Sequence, residues 1–409
     1  MIDSIFVALS GMLGHQRGLN VISNNIANMN TPAFRGSRTS FTDVFVGAAP
    51  TGLPRGQQSL GGVDASRTQL DLRRGDRQAT GRDLDLMLQG EGYFVLQTED
   101  GETRYTRDGR FDFLDGELVL ANEAAVLEND ALARDRRLRV MARNANGELV
   151  PVTLKDLQVH AGKATTEITF QNNLSTFDNE HVIDSLAVFD KNGAQHTLRV
   201  TFTRMMATNG ATSSWKVTVS EGTQEIGTGT LEFLGTRPIP SSEALSMTLQ
   251  FSGADPAEVS FNFRDVNALP LGTMMNPTQS NVSVSSQDGF APGTITGMTF
   301  DDQGVLKITY SNGQRVDGAK LALAQINDQK GLVEVGNSLF VYEGAESVTL
   351  REAGNDLRVL AQSLEQSNVD LTEQFSQLIL MQRGYQASSQ VLSTANDMLQ
   401  ELFDIRGQQ

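Results

Sequence analysis

The chain has 409 residues, 39% hydrophobic and 20% charged, which fits a folded protein of about two to four domains. A net charge of −16 argues against nucleic acid and anionic lipid as partners, since phosphate binding needs clustered Lys and Arg. The absence of Cys excludes disulfides, thiolate chemistry and Cys-based metal sites.

At the N-terminus the apolar run Ile5–Leu9 is too short for the core of a signal peptide, and Asp3 stands where a positive region belongs. Any export is therefore expected to proceed without a cleaved signal. No run of about 20 apolar residues exists, so no membrane insertion is expected. Residues 3 to about 28 read as a helix, because Ile5, Leu9, Met12, Leu19, Ile22 and Ile26 share a face. Among these, Ile5, Met12, Leu19 and Ile26 recur every seven residues and make an apolar seam. Gly11, Gly14 and Gly18 would each cost a free helix about 1 kcal/mol relative to Ala, and they make sense where other helices approach closely. Asn24, Asn25 and Asn28 belong to an Asn-rich stretch with two readings: a stripe of amides bonding between helices, or fraying toward Pro32, where the helix must stop.

Residues 29–70 carry many Gly and Pro and few core signals, so they read as an extended connector or hinge. From 71 onward the pattern is that of strands. Tyr93–Leu96, Arg104–Thr106, Phe111–Leu114 and Leu118–Leu120 are short apolar runs, and Asp-Gly turns such as Asp115-Gly116 punctuate them. Residues 163–285 form a second β region with alternating apolar positions: Trp215, Val217 and Val219; Leu231 and Phe233; Met247, Leu249 and Phe251; Val259, Phe261 and Phe263. Six or more such strands suffice for a sandwich or barrel. Strands return at Gly297–Phe300, Val305–Tyr310, Ala319–Ile326 and Ser338–Tyr342. The last helix is expected from about Leu364 to Phe403, roughly 60 Å long at about 1.5 Å per residue. Leu371, Leu378, Tyr385, Leu392 and Leu399 form its heptad seam, and Gln382, Ser389 and Asn396 are polar candidates for fixing register.

The expected fold is therefore mainly β with α-helical termini: nested, discontinuous β domains on a coiled coil of the terminal helices. Its parts are 1–28 with 365–409 as the coiled coil, 29–70 as connector, 71–162 with 286–364 as a first β domain, and 163–285 as an inserted outer β domain.

Nothing in the sequence calls for catalysis. His15, His160, His181 and His196 lack zinc-like pairing. His181 and His196 have the spacing to approach across strands, but plain surface histidines are the favoured reading. The acidic pairs Asp83/Asp85 and Asp301/Asp302 sit in turn-like surroundings, and Gly90-x-Gly92 lacks the context of a phosphate loop. Within the basic run Arg134–Arg139, Asp135 interrupts the positive charge. No catalytic residue, cofactor or metal is expected.

Three motifs resemble those of flagellar rod and hook proteins. The first runs from Leu9-Ser10-Gly11-Met12 through Asn24-Asn25-Ile26-Ala27-Asn28-Met29-Asn30-Thr31-Pro32-Ala33-Phe34-Arg35. The second joins Gln89-Gly90-Glu91-Gly92-Tyr93-Phe94-Val95 to Tyr105-Thr106-Arg107-Asp108-Gly109. The third pairs Ser367-Asn368-Val369-Asp370-Leu371 with Gln382-Arg383-Gly384-Tyr385-Gln386-Ala387. The inserted β region, with its return through Gln287–Gly293 and Tyr310–Gln314, is similar to that of the hook members, whereas distal-rod members lack such an insertion.

The resemblance implies a self-assembling structural subunit of a curved helical tube that transmits torque. Its implied partners are further copies of itself, distal rod, hook cap and hook–filament junction proteins, and the flagellar export apparatus. The implied location is the extracellular hook and basal body. Pro32, Phe34 and Arg35 are the implied hinge. The family usually has Gly-Phe-Lys where this chain has Ala33-Phe34-Arg35, so this turn is expected to differ. A β-rich adhesin would explain the middle of the chain but not the paired terminal seams. A distal-rod protein would explain the ends but not the insertion.

Overall fold

In this computed structural model the described residues are 2–45, 61–121, 137–144, 146–206, 211–264, 273–344 and 348–407. The chain divides into two compact units. One is formed by Met1–Lys155, Met298–Lys307 and Asp317–Gln409, the other by Asp156–Gly297 and Ile308–Val316. Each unit is assembled from separated stretches of sequence, and the architecture is mainly β with terminal helices that pack together.

In the first unit, helix α1 spans Ile2–Ala27 and helix α2 spans Leu371–Gly407. At about 1.5 Å per residue, the 37 residues of α2 extend for roughly 55 Å. α2 starts later than the sequence suggests. Ser363–Glu365 is a strand, paired antiparallel with Arg77–Ala79. Asp370 then caps the helix by accepting from the backbone N–H of Thr372 at 2.7 Å and of Glu373 at 3.1 Å. Periodicity cannot see this boundary, because Leu364 fits both patterns.

Within residues 29–70, two stretches form a strand ladder. Ser37–Phe45 and Gly61–Leu70 pair antiparallel, from Ser37 opposite Leu70 to Phe45 opposite Gly61. The ladder lies against α1: a Cβ on Gly14 would stand 3.2 Å from Phe41 and 3.4 Å from Ala65. Residues 46–60, where most of the Gly and Pro signals of this segment fall, lie outside the described residues. So do residues 134–136 of the basic run.

The main sheet of this unit runs, in spatial order, Leu332–Gly336, Leu339–Tyr342, Thr103–Thr106, Tyr93–Gln97, Arg139–Arg143, Glu117–Leu120 and Phe111–Leu114. Asp115 and Gly116, both at positive φ, form the two-residue turn between the last pair. Phe94 and Phe111 are fully buried and meet edge to face at 5.1 Å. Leu86–Gln89 pairs with Arg358–Ala361, so early and late chain segments close the unit together.

The second unit holds a sheet of Glu180–Phe189, Gln195–Met205, Ser213–Glu221, Gln224–Leu234 and Arg237–Pro238. A second sheet has the order Ala244–Leu249, Ala257–Asn262, Glu167–Gln171 and Ser283–Gln287. Trp215, Val217, Val219, Leu231, Phe233, Met247, Leu249, Phe251, Val259, Phe261 and Phe263 are all buried in its core. Phe170 stacks on Phe263 at 5.0 Å and on Phe261 at 5.7 Å. Alternation at period two is what put these side chains on one face.

Candidate assembly surface

α1 and α2 run antiparallel along a seam of small residues. A Cβ on Gly11 would stand 3.1 Å from the Ser388 hydroxyl, and one on Gly18 would stand 2.9 Å from Met381 Sδ. From the other side, a Cβ on Gly384 would stand 2.4 Å from the His15 ring. The buried Asn25 side chain donates to the Gln374 side-chain oxygen at 3.0 Å. The contacts 11/388, 18/381 and 25/374 step by seven in opposite directions, as antiparallel helices with a heptad repeat require. The close approach expected of Gly11 and Gly18 is therefore made within the chain.

This seam lies one row away from the predicted one. Ile5, Met12, Leu19 and Ile26 are each half-buried, beside rather than on the line of closest approach. Leu371, Leu378, Leu392 and Leu399 are likewise half-buried, and Tyr385 is exposed. The buried residues are Ala8, Gly14, Gly18, Ile22 and Asn25 on α1, and Gln374 and Ala395 on α2. Counting large apolar residues finds the widest row, whereas helices approach most closely along the smallest one.

The polar candidates separate into two kinds. Asn25 fixes register within the chain, since it also exchanges hydrogen bonds with the backbone of Ser37 at 2.8 and 2.9 Å. Its partner Gln374 was missed by the sequence reading, and only its four-residue offset from Leu378 marks its place in the helix. Asn28 donates to the backbone and side-chain oxygens of Asn24 at 3.0 and 3.1 Å and accepts from Thr31 at 3.2 Å. These two residues therefore finish α1 locally. Gln382, Ser389 and Asn396 are exposed on α2.

The outer faces of both helices remain apolar. Ten of the nineteen large apolar side chains exposed among the described residues lie on them. Phe6, Leu9 and Leu13 stand at helical spacing on α1. Phe375 and Ile379 form one row on α2, and Leu380, Val391 and Met398 form a second. Leu380 is 65% exposed. Exposed apolar rows on helix faces make this surface the candidate for an interaction.

At the base of the helix pair the three motifs converge. Glu365 accepts from Arg35 at 2.6 Å and from Arg107 at 2.7 Å, and all three side chains are nearly fully buried. The Gly75 N–H donates to the same Glu365 carboxylate at 3.0 Å. Arg107 donates onward to the carbonyls of Leu88, Gly90 and Gly92 at 2.6–3.2 Å. Arg35 also donates to the Arg73 carbonyl. Burial pushes the Arg35 pKa down and Glu365 opposes the shift; the guanidinium stays charged. Asn368 accepts from the Gly36 N–H at 2.8 Å and donates to the carbonyls of Asp71 and Arg73 at 2.7 and 2.8 Å.

The residues read as a hinge are thus an anchor in this conformation. Phe34 and Arg35 are buried and bonded, and Ser338 donates to the Pro32 carbonyl at 3.2 Å. Ala33 takes the left-handed φ of 58° that a glycine would adopt freely.

The remaining polar candidates serve local structure. His181 bonds the Val282 carbonyl at 2.9 Å, and His196 bonds Glu221 at 2.7 Å, so the two histidines do not meet. Asp301 accepts from the N–H groups of Gln303 and Val305, and Asp83 accepts from Gln362 at 2.6 Å. Among the described residues no cluster of His, Asp or Glu has the geometry of a metal site.

Three family models match in the order of the motifs. They are a flagellar basal body rod protein model over residues 5–35, a flagellar hook protein FlgE/F/G D1 domain model over 87–177, and a flagellar basal body rod FlgEFG protein C-terminal model over 360–405. The chain is 28% identical over 468 residues to the flagellar hook protein FlgE of Treponema pallidum, covering 99% of this chain and 100% of that one. To the flagellar hook protein FlgE of Escherichia coli K12 it is 27% identical over 422 residues, covering 98% and 99%. Three separate segments, and nearly the whole length of the chain, are thus similar to flagellar rod and hook proteins. A crystal structure of the Helicobacter pylori flagellar hook protein FlgE2 is also similar, with a TM-score of 0.49 and 11% identity over 71% of this chain and 100% of that one. The family models cover the two helices, strands of the first unit and, at residues 156–177, the beginning of the second, and they include Arg35, Arg107 and Glu365.

Proposed function

We propose that this chain is a member of the flagellar rod and hook family and the subunit of the flagellar hook, a homopolymer forming a curved tube that carries torque from rod to filament. The exposed apolar rows on α1 and α2 carry the reading: they are formed, helical and uncovered in the single chain. In a polymer they would be covered by the helices of neighbouring copies. Fully burying a Leu side chain contributes about 1.5–3 kcal/mol, so several such rows suffice to hold copies together. Alignment with hook proteins over nearly the whole length of both chains favours a hook over a distal-rod protein.

In this reading the assembly seam comprises the half-buried heptad rows beside the outer faces, with Gln382, Ser389 and Asn396 setting register between copies. Residues 1–28 and 365–409 serve as the coiled-coil layer, 71–162 with 286–364 as the first β domain and 163–285 as the outer one. A bending tube must lengthen and shorten each strand of subunits once per turn, through rigid sheets and sliding contacts. The bending cannot start at Arg35 while its ion pair is intact, so the reading places it elsewhere. The partners are further copies, the distal rod, the hook cap, the hook–filament junction proteins and the export apparatus.

The test is an engineered crosslink between residues 163–285 of adjacent copies in the assembled hook, read by electron microscopy and swimming. Straight hooks with impaired swimming are expected; normally curved, functional hooks after complete crosslinking would contradict a universal-joint role.

A further inference from the structure

Behind the buried ion cluster, the first unit contains an arginine-lined cleft that neither the helix seam nor the sheet explains. Its inner part is a cavity of about 140 Å³, walled by Arg35, Arg73, Arg74, Tyr93 and Arg107 among others. It shares Arg74, Gly90, Glu91 and Gln325 with an outer cavity of about 550 Å³, whose wall adds Arg351 and Arg358.

Two independent observations point to a ligand. First, Arg35 is 2% exposed, and its Nε–H is buried without a hydrogen-bond partner. A buried donor left unpaired costs about 1–3 kcal/mol, so a native fold normally provides an acceptor. Second, Arg73 and Arg107 have carboxylate partners, but Arg74, Arg351 and Arg358 make no salt bridge among the described residues. Only Glu91 and Asp356 stand beside these three on the outer wall. In a chain of net charge −16, three unpaired guanidiniums converging on one cleft are a local excess of the opposite sign.

We propose that this cleft is an oxyanion site, filled in the polymer by a carboxylate side chain of a second copy. A guanidinium presents parallel N–H donors that match a carboxylate or a tetrahedral oxyanion. Arg351 and Arg358 stand at the wide mouth, where they attract the anion; Arg74 belongs to both cavities; and Arg35 is part of the wall of the inner one. Charge complementarity selects the source, because each neighbour brings the same surplus of carboxylates. The choice of a second copy rests on the polymer reading, whereas the oxyanion chemistry does not.

The experiment titrates full-length protein with inorganic sulfate at constant ionic strength set by chloride, and measures polymerisation by pelleting in the same buffers. Arg74→Gln and Arg351→Gln are the variants, since both side chains are exposed and leave the buried cluster intact. Saturable sulfate binding is expected, weakened about tenfold in Arg74→Gln. Sulfate and Arg74→Gln should each raise the protein concentration needed to polymerise. Absence of sulfate binding to the wild type, or binding by both variants as tight as that of the wild type, overturns the oxyanion site. Binding that weakens as expected while polymerisation is untouched by sulfate and by Arg74→Gln overturns the second copy as occupant and leaves a site for a free oxyanion. Failure of the wild type to polymerise under any condition counts against the polymer reading, and the sulfate titration still decides the site.

Discussion

Glu365 draws Arg35 from the start of the chain and Arg107 from the first sheet into one buried cluster, and each carboxylate oxygen has an arginine partner. Removing one member of such a cluster strands the others in a low dielectric, which typically costs 3–5 kcal/mol. Glu365→Gln should therefore lower the stability of the first unit by roughly 3–5 kcal/mol in denaturant unfolding, whereas a loss under about 1 kcal/mol would show that the cluster is solvated. Next to it, Ala33 pays for its left-handed backbone with strain, and its fully buried methyl group offsets this. Ala33→Gly relieves strain of about 1–2 kcal/mol and loses a methyl worth about 0.8, so it should change stability by less than about 1.5 kcal/mol. Ala33→Val, with more bulk at the same φ, should destabilise by more than about 2 kcal/mol. Equal effects of the two would refute a strained turn. The motifs that meet here were readable in the sequence, but their meeting was not: Arg35, Arg107 and Glu365 lie far apart in the chain, and no local pattern pairs them.

At the scale of elements, the helix seam sets intrinsic propensity against packing. Gly384→Ala favours an isolated helix by about 1 kcal/mol. In the folded chain its Cβ would lie 2.4 Å from the His15 ring, a clash that requires movement. Overpacking typically costs 1–3 kcal/mol, so the helix pair should be weakened and its amide hydrogen exchange accelerated. Slower exchange in Gly384→Ala would mean that propensity outweighs the contact. The helices themselves, and the strands of Trp215 and Phe261, were legible because their periods of 3.6 and 2 are local properties of the chain. The row used for helix contact was not, because it is made of small residues such as Gly11, Gly18 and Ser388. The ladder of Ser37–Phe45 with Gly61–Leu70 was hidden for a different reason. Polar residues dominate both strands, and they are held by pairing and by α1 rather than by an alternating core face.

For the molecule as a whole, stability should follow pH through its second unit. His196 lies between Asp190 at 3.4 Å and Glu221 at 2.7 Å and stacks on Phe251. Burial alone would lower its pKa, but hydrogen bonds to Glu221 and Asp190 raise it above 6.5. The stabilisation is therefore fully present below about pH 6.5 and is lost as pH rises through the folded value. Asp190 and Glu221 shift the opposite way. For Asp190, burial is overcome by hydrogen bonds from Ala194, His196 and Asn192; for Glu221, the His196 bond dominates. Their contribution is present above about pH 4 and is lost as pH falls through their folded values. The melting temperature of this unit should fall from pH 6 to pH 8, and His196→Gln should flatten that fall. An unchanged slope in the variant would assign the pH dependence to other groups.

Joining of copies through the outer rows of α1 and α2 is what the proposed assembly of this chain requires. The most direct measurement is negative-stain microscopy of full-length protein beside Leu380→Glu and Val391→Glu, with circular dichroism to confirm that each is folded. Both residues are exposed in the single chain, so the fold should survive the change. Tubes from the wild type and soluble folded protein from both variants are predicted. Tubes from the variants, indistinguishable in yield and diameter from those of the wild type, would contradict assembly through the terminal helices.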